Sequence, residues 1–79
     1  KPQFEVGKDK VGKGGVVRDQ SLHLDAIEGV VNESKQYGWY LKGLIPSPLK
    51  GPAGNQEYLL WMDDKSKGNK DIKKLINFL

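Results

Sequence analysis

Apolar positions along the chain change period as the sequence proceeds. Over residues 21–37, Leu24, Ile27 and Val31 recur at i, i+3 and i+7, and Ala26 and Val30 widen the same face. That spacing predicts an amphipathic helix. Asp19 or Ser21 can cap its start, and Asp25 and Glu28 suit the positive end of the helix dipole. Gly38 is a natural stop, because glycine takes up the left-handed conformation at a helix end without a Cβ clash. Gly29 lowers helix propensity by about 0.5–1 kcal/mol relative to Ala, which predicts close packing on a neighbour at that point. Residues 39–45, Trp-Tyr-Leu-Lys-Gly-Leu-Ile, read as a strand that Pro46 ends. Residues 56–62, Gln-Glu-Tyr-Leu-Leu-Trp-Met, read as a second strand, apolar enough to be covered on both faces. A Pro/Gly loop over 46–55 separates the two, and 63–68 is a polar turn. Asn69 then caps a short helix carrying Ile72, Leu75, Ile76 and Leu79 at i, i+3, i+4 and i+7.

The resulting order is strand end, loop, helix, strand, loop, antiparallel strand, helix, which is an α/β class with no internal repeat. Strand–helix–strand predicts a right-handed parallel crossover. The loop 46–55 returns the chain, so the last strand runs antiparallel to the one before it. Aromatic residues Trp39, Tyr40, Tyr58 and Trp61 all fall in strands and read as core, not as base-stacking platforms.

Composition narrows the class. A chain of 79 residues is one domain or a piece of one. It begins Lys1-Pro2-Gln3-Phe4-Glu5, without an initiator Met or a capped first element, which reads as the middle of a larger unit. There are no cysteines, hence no disulfide framework and no thiolate metal site, a composition that suits the cytoplasm. The single histidine, His23, cannot build a metal site alone and reads as a surface residue. Thirteen Lys+Arg against ten Asp+Glu give a net charge of +3, compatible with a polyanionic partner but not diagnostic of one. No apolar run approaches the roughly 20 residues of a membrane span.

Charge and glycine concentrate between residues 7 and 19. Gly7, Gly12, Gly14 and Gly15 alternate with Lys8, Lys10, Lys13 and Arg18. Such a loop has two readings. The cations can contact RNA phosphates while the glycines permit close backbone approach; or the loop is solvated and its glycines serve its turns. Asp9 and Asp19 dilute the charge. Gly12-Lys13-Gly14-Gly15 has the wrong spacing for a nucleotide-phosphate loop, and no strand leads directly into it. Lys50, between Pro48 and Pro52, is a further RNA-contact candidate or simply a turn residue.

Two segments carry a more specific signal. The stretch from Lys1-Pro2-Gln3-Phe4-Glu5 through the glycine–lysine loop, and Ser47-Pro48-Leu49-Lys50-Gly51-Pro52-Ala53-Gly54-Asn55-Gln56-Glu57-Tyr58-Leu59-Leu60-Trp61, together resemble the C-terminal part of the TlyA group of FtsJ-like RNA ribose methyltransferases, often labelled hemolysins. The resemblance covers nearly all of residues 1–62. It implies the end of a Rossmann-like methyltransferase fold, in which a mixed sheet finishes on an antiparallel strand. Residues 1–79 are then the C-terminal portion of the methyltransferase domain. Counterparts of the cofactor-binding half and of an S4-type RNA-binding domain are absent from them, and the piece alone is expected to be inactive.

In the family a Lys-Asp-Lys-Glu set surrounds the target ribose. Lys1 looks like its second lysine and Glu57 like its glutamate; the first lysine and the aspartate have no counterpart here. Ligands of open α/β sheets sit beyond the carboxyl ends of parallel strands, and the family fold would bring Lys1 and Glu57 to one such edge. A neighbouring carboxylate favours a charged ammonium. The implied role of Lys1 is therefore to steer the ribose hydroxyl and stabilise its developing charge, with Glu57 fixing the lysine. The resemblance implies S-adenosylmethionine as methyl donor, ribosomal RNA or a ribosomal subunit as partner, and a cytidine ribose as target. Two other classes compete with this reading: a non-catalytic RNA- or ribosome-binding module, and a hemolysin-like membrane-active protein, which lacks a membrane-seeking segment here.

Overall fold

The computed structural model describes residues 1–64 and 71–75. Its elements are helix α1 (Pro2–Glu5), helix α2 (Gln20–Gln36), strand β1 (Tyr40–Pro46), strand β2 (Tyr58–Asp63) and helix α3 (Ile72–Leu75). Short 3-10 turns lie at Lys8–Lys10, Lys13–Gly15 and Pro52–Gly54. The expected polar turn beyond Asp64, the Asn69 cap, and the placing of Ile76 and Leu79 lie outside the described residues.

Helix α2 runs one residue ahead of the expected span, and its ends are as the sequence specifies. The Asp19 carboxylate accepts from the Ser21 hydroxyl at 2.8 Å and from the Ser21 amide at 2.9 Å. Those two bonds hold its carboxyl below the ordinary aspartate range. At the other end Gly38 has φ +84°. The Gly38 amide donates to the Lys35 carbonyl at 3.1 Å and the Trp39 amide to the Ser34 carbonyl at 3.0 Å, the paired closing bonds of a Schellman ending. Gly29 departs from expectation. A Cβ built there meets nothing among the described residues, because this part of α2 faces outward.

Strands β1 and β2 pair antiparallel, from Tyr40 opposite Asp63 to Pro46 opposite Tyr58. The register shifts between Leu41 and Gly43, leaving Lys42 as the extra residue of a bulge. In a regular strand, positions 41 and 44 would point to opposite faces. The bulge turns both inward, where Leu41 and Leu44 join Ile27 and Val31 of α2 in the core. Leu24, Tyr58, Leu60, Met62, Ile72 and Leu75 close around them.

The opposite face of the hairpin is not covered by the described residues. Ile45, Leu59 and Trp61 are 56%, 53% and 63% exposed, against the expectation of a second strand covered on both faces. Trp39 is exposed as well. The two tryptophans are therefore not core residues of this unit, while Tyr58 does pack against the core as expected.

Candidate functional site

The two specific motifs meet at one edge of the hairpin. Lys1 caps α1, and Pro2 occupies the start of the helix, where its missing N–H is no loss. Pro2 is fully buried and anchors the motif. Lys1 stays exposed, its ammonium 5.5 Å from the centroid of the Phe4 ring, a cation–π distance. Lys1 and Glu5 rim a small cleft walled by Ala26, Ile27, Val30, Tyr58 and Leu60.

Glu57 sits at the mouth of the hairpin, one residue ahead of β2. Its carbonyl accepts from the Ser47 amide at 2.8 Å and from Gln56 Nε2 at 2.7 Å, so the ends of both strands fix its main chain. Its carboxylate Oε2 accepts from Gln3 Nε2 at 2.8 Å, across 54 positions of sequence. The Lys1 motif and Glu57 are thus drawn together. The group in contact with the carboxylate is Gln3, a residue that motif spacing did not single out.

The basic loop is less loose than its composition suggests. Gly14 and Gly15 have φ +78° and +79°, a conformation that side chains with a Cβ resist, so these two glycines do serve a turn. The Lys13–Gly15 turn packs on the Pro52–Gly54 turn, and Asn55 joins them. Asn55 is 2% exposed. Its Oδ1 accepts from the Val17 amide at 2.9 Å, and its Nδ2 donates to the Gly15 and Pro52 carbonyls, each at 2.8 Å. Lys8 and Lys10 lie on the preceding turn. Arg18 places its guanidinium beside Gly12, where an added Cβ would come within 3.2 Å of Nη1. In the adjoining loop Lys50 Nζ donates to Gln56 Oε1 at 2.7 Å. The five RNA-contact candidates therefore lie in two loops joined by one buried amide, and the second of these loops leads directly into Glu57.

Beneath the loop, His23 is buried, contrary to the expectation of a surface residue. Its Nε2 lies 2.7 Å from the Val17 carbonyl and its Nδ1 2.6 Å from the Tyr58 hydroxyl. The carbonyl only accepts, so Nε2 carries a proton, and in the neutral ring Nδ1 accepts from Tyr58. Burial pushes the Tyr58 phenol above its ordinary range, which keeps the hydroxyl a donor. The register of α2 places His23 against β2 and the loop end at Val17; it stands three and four residues before Ala26 and Ile27 on the same buried helix face, a phase that its polar type concealed.

Residues 1–64 match the FtsJ-like methyltransferase profile. The chain belongs to the FtsJ-like methyltransferase family. It is 50% identical over 62 residues to the 16S/23S rRNA (cytidine-2′-O)-methyltransferase TlyA of Mycobacterium tuberculosis, a match covering 78% of this chain and 23% of that relative. It is 42% identical over 62 residues to the 23S rRNA (cytidine-2′-O)-methyltransferase TlyA of Campylobacter jejuni, over 77% of this chain and 24% of that one. A solved structure from Lactococcus lactis that carries a hemolysin label superimposes with a TM-score of 0.81 at 40% identity, covering 95% of this chain and 38% of that one. The FtsJ-like chain thus spans about a quarter of the length of the curated relatives it matches. No helix among its described residues is long and apolar enough to cross a membrane.

Proposed function

We propose that the longer protein containing this chain methylates the 2′-hydroxyl of a ribose in ribosomal RNA, with S-adenosylmethionine as the methyl donor, a cytidine as the target, and the cytoplasm as its place of work. The observation that carries this is the meeting of the Lys1 motif and Glu57 through Gln3, across 54 positions of sequence, in a chain of the FtsJ-like family. The names of the relatives from Mycobacterium tuberculosis and Campylobacter jejuni support ribosomal RNA and cytidine.

The described residues do not fit the methyl donor. No strand leads into the glycine-rich stretch, which instead follows helix α1. The polar groups near its end are already engaged by Asn55. The donor supplies the methyl group, and the roles given to this chain lie on the hydroxyl side. A ribose hydroxyl is a weak nucleophile that must be held in line; with the donor bound, its oxygen would gain the methyl group from a sulfonium that leaves as a neutral thioether, and its proton would pass to water. Lys1 orients that hydroxyl and stabilises the negative charge that develops on it. Glu57 supports the lysine from the hairpin mouth. Residues 1–79 form the C-terminal portion of the methyltransferase domain.

Lys8, Lys10, Lys13, Arg18 and Lys50 hold RNA phosphates in this reading. Asn55 supports that role, because joined loops present their cations with little loss of entropy on binding. Neutralising Lys8, Lys10, Lys13 and Arg18 together should weaken ribosomal RNA binding and flatten its salt dependence, by about 0.7–0.9 in log–log slope per lost phosphate contact. A filter-binding titration at several salt concentrations checks this; an unchanged slope returns the loop to plain solvated backbone. The direct test of the whole reading is ribose methylation of ribosomal RNA by the longer protein, with Lys1→Ala as its comparison.

A further inference from the structure

The Glu57 carboxylate rests in a space that the chain keeps open at Gly51. A Cβ built on Gly51 would fall inside the Glu57 carboxyl group, against Oε2, Cδ and Cγ. The local backbone gives no other reason for glycine. Gly51 has φ −79° and ψ −169°, an extended conformation open to other residues. Its amide donates to the Asn55 carbonyl at 2.8 Å, a bond that any residue except proline can make. Glycine is needed here for room, and the room holds the carboxylate.

The same carboxylate oxygen, Oε2, accepts from Gln3 Nε2 at 2.8 Å. A carboxylate accepts and cannot donate, so the amide must present its nitrogen. Its Oε1 then turns to a buried position where it meets no partner among the described residues. An unpaired buried acceptor is unfavourable, and the amide keeps this orientation because it reaches Glu57. Glu57 is thus held by a donor on the α1 side and by a vacancy in the side-chain pattern on the hairpin side.

We infer that Gln3 and Gly51 are positioning residues that set where the Glu57 carboxylate stands relative to the Lys1 motif. This rests on the ribose-methylation reading, in which Glu57 supports Lys1. In Gly51→Ala the new methyl group meets the far end of a flexible side chain, so the fold absorbs the change and the carboxylate moves.

The test is a double-mutant cycle in the longer protein. Gly51→Ala and Gln3→Ala are each measured alone and with Glu57→Ala, reading kcat and KM for ribosomal RNA and the thermal midpoint. Gly51→Ala should lower kcat about tenfold or more, the scale that a small misplacement of a reacting group produces, with KM and midpoint near wild type. Combined with Glu57→Ala it should cause no further loss, because no carboxylate remains to be displaced. Gln3→Ala should show the same dependence on Glu57, and decides the matter if Gly51→Ala does not fold. Equal losses of kcat with and without Glu57 would overturn the inference. So would wild-type kcat in both variants while Glu57→Ala is impaired. Full turnover in Glu57→Ala itself would instead remove the role of Glu57, and the inference with it, so the two failures are told apart.

Discussion

Lys1→Ala in the longer protein should lower ribose methylation by about 10²–10⁴-fold, the range typical of a lost proton-transfer or charge-stabilising group. Fold and methyl-donor affinity should stay close to wild type. The structure explains the separation. Burial of Pro2 anchors the motif, while the Lys1 side chain stays exposed with its ammonium over the neighbouring Phe4 ring. Removing an exposed ammonium therefore leaves the core untouched and takes away the group that we propose meets the hydroxyl. Glu57→Ala should impair turnover less, since its proposed role is to act through the lysine. The two losses should combine to less than their product, as they do for residues sharing one function. Nucleoside mass spectrometry of ribosomal RNA after a timed reaction measures all three variants. Wild-type turnover in Lys1→Ala would remove the catalytic assignment and favour an RNA-binding module.

The largest effect on stability is expected at Asn55. In Asn55→Ala the buried Val17 amide loses its acceptor, and an orphaned buried donor is unfavourable by about 1–3 kcal/mol. The other two partners suffer less. Gly15 is exposed, so water can reach its carbonyl, and the Pro52 carbonyl still accepts from the Asn55 backbone amide at 3.1 Å. Asn55→Asp separates polarity from fit. It keeps an acceptor for Val17 but sets a carboxylate against two carbonyl oxygens, so its loss should be at least as large. Hydrogen exchange locates the effect: protection of the Val17 amide should fall in both variants. Retained protection at Val17 would show that the contact holds nothing together.

Where sequence and structure agree, the signal is local. The ends of α2 are written in Asp19 and Gly38, each acting on groups within a few residues of itself. The antiparallel hairpin follows from two apolar runs around a Pro/Gly loop. Lys1 and Glu57 stand out because their motifs resemble those of a family, and the structure brings the motifs together through Gln3. What stayed hidden acts at long range. Asn55 sits among turn formers and reads as one more of them, yet its side chain serves Val17, 38 positions away. His23 is in phase with the apolar face of α2, but its type does not reveal the Tyr58 hydroxyl and Val17 carbonyl that satisfy it there. The bulge at Lys42 is hinted at by Gly43 inside the strand, but its consequence is not, and without it Leu41 and Leu44 could not share a core. The exposed Trp39 and Trp61 misled for the converse reason, since residue type cannot say which face of a hairpin this unit covers.

The reach of Asn55 also bears on when the site assembles. Its side chain joins segments 38 and 40 positions apart. Closing loops of that length loses more chain entropy than forming local turns. Helix α2 and the β1–β2 hairpin draw mainly on nearer neighbours and can form before the two loops meet. The clasp then belongs to the downhill side of the folding barrier, and weakening it should speed unfolding while the folding rate stays within about twofold. A folding rate that falls in step with stability would place the clasp in the nucleus instead. On this account the loops proposed to meet the RNA are the last part of the unit to take shape and the first to come apart.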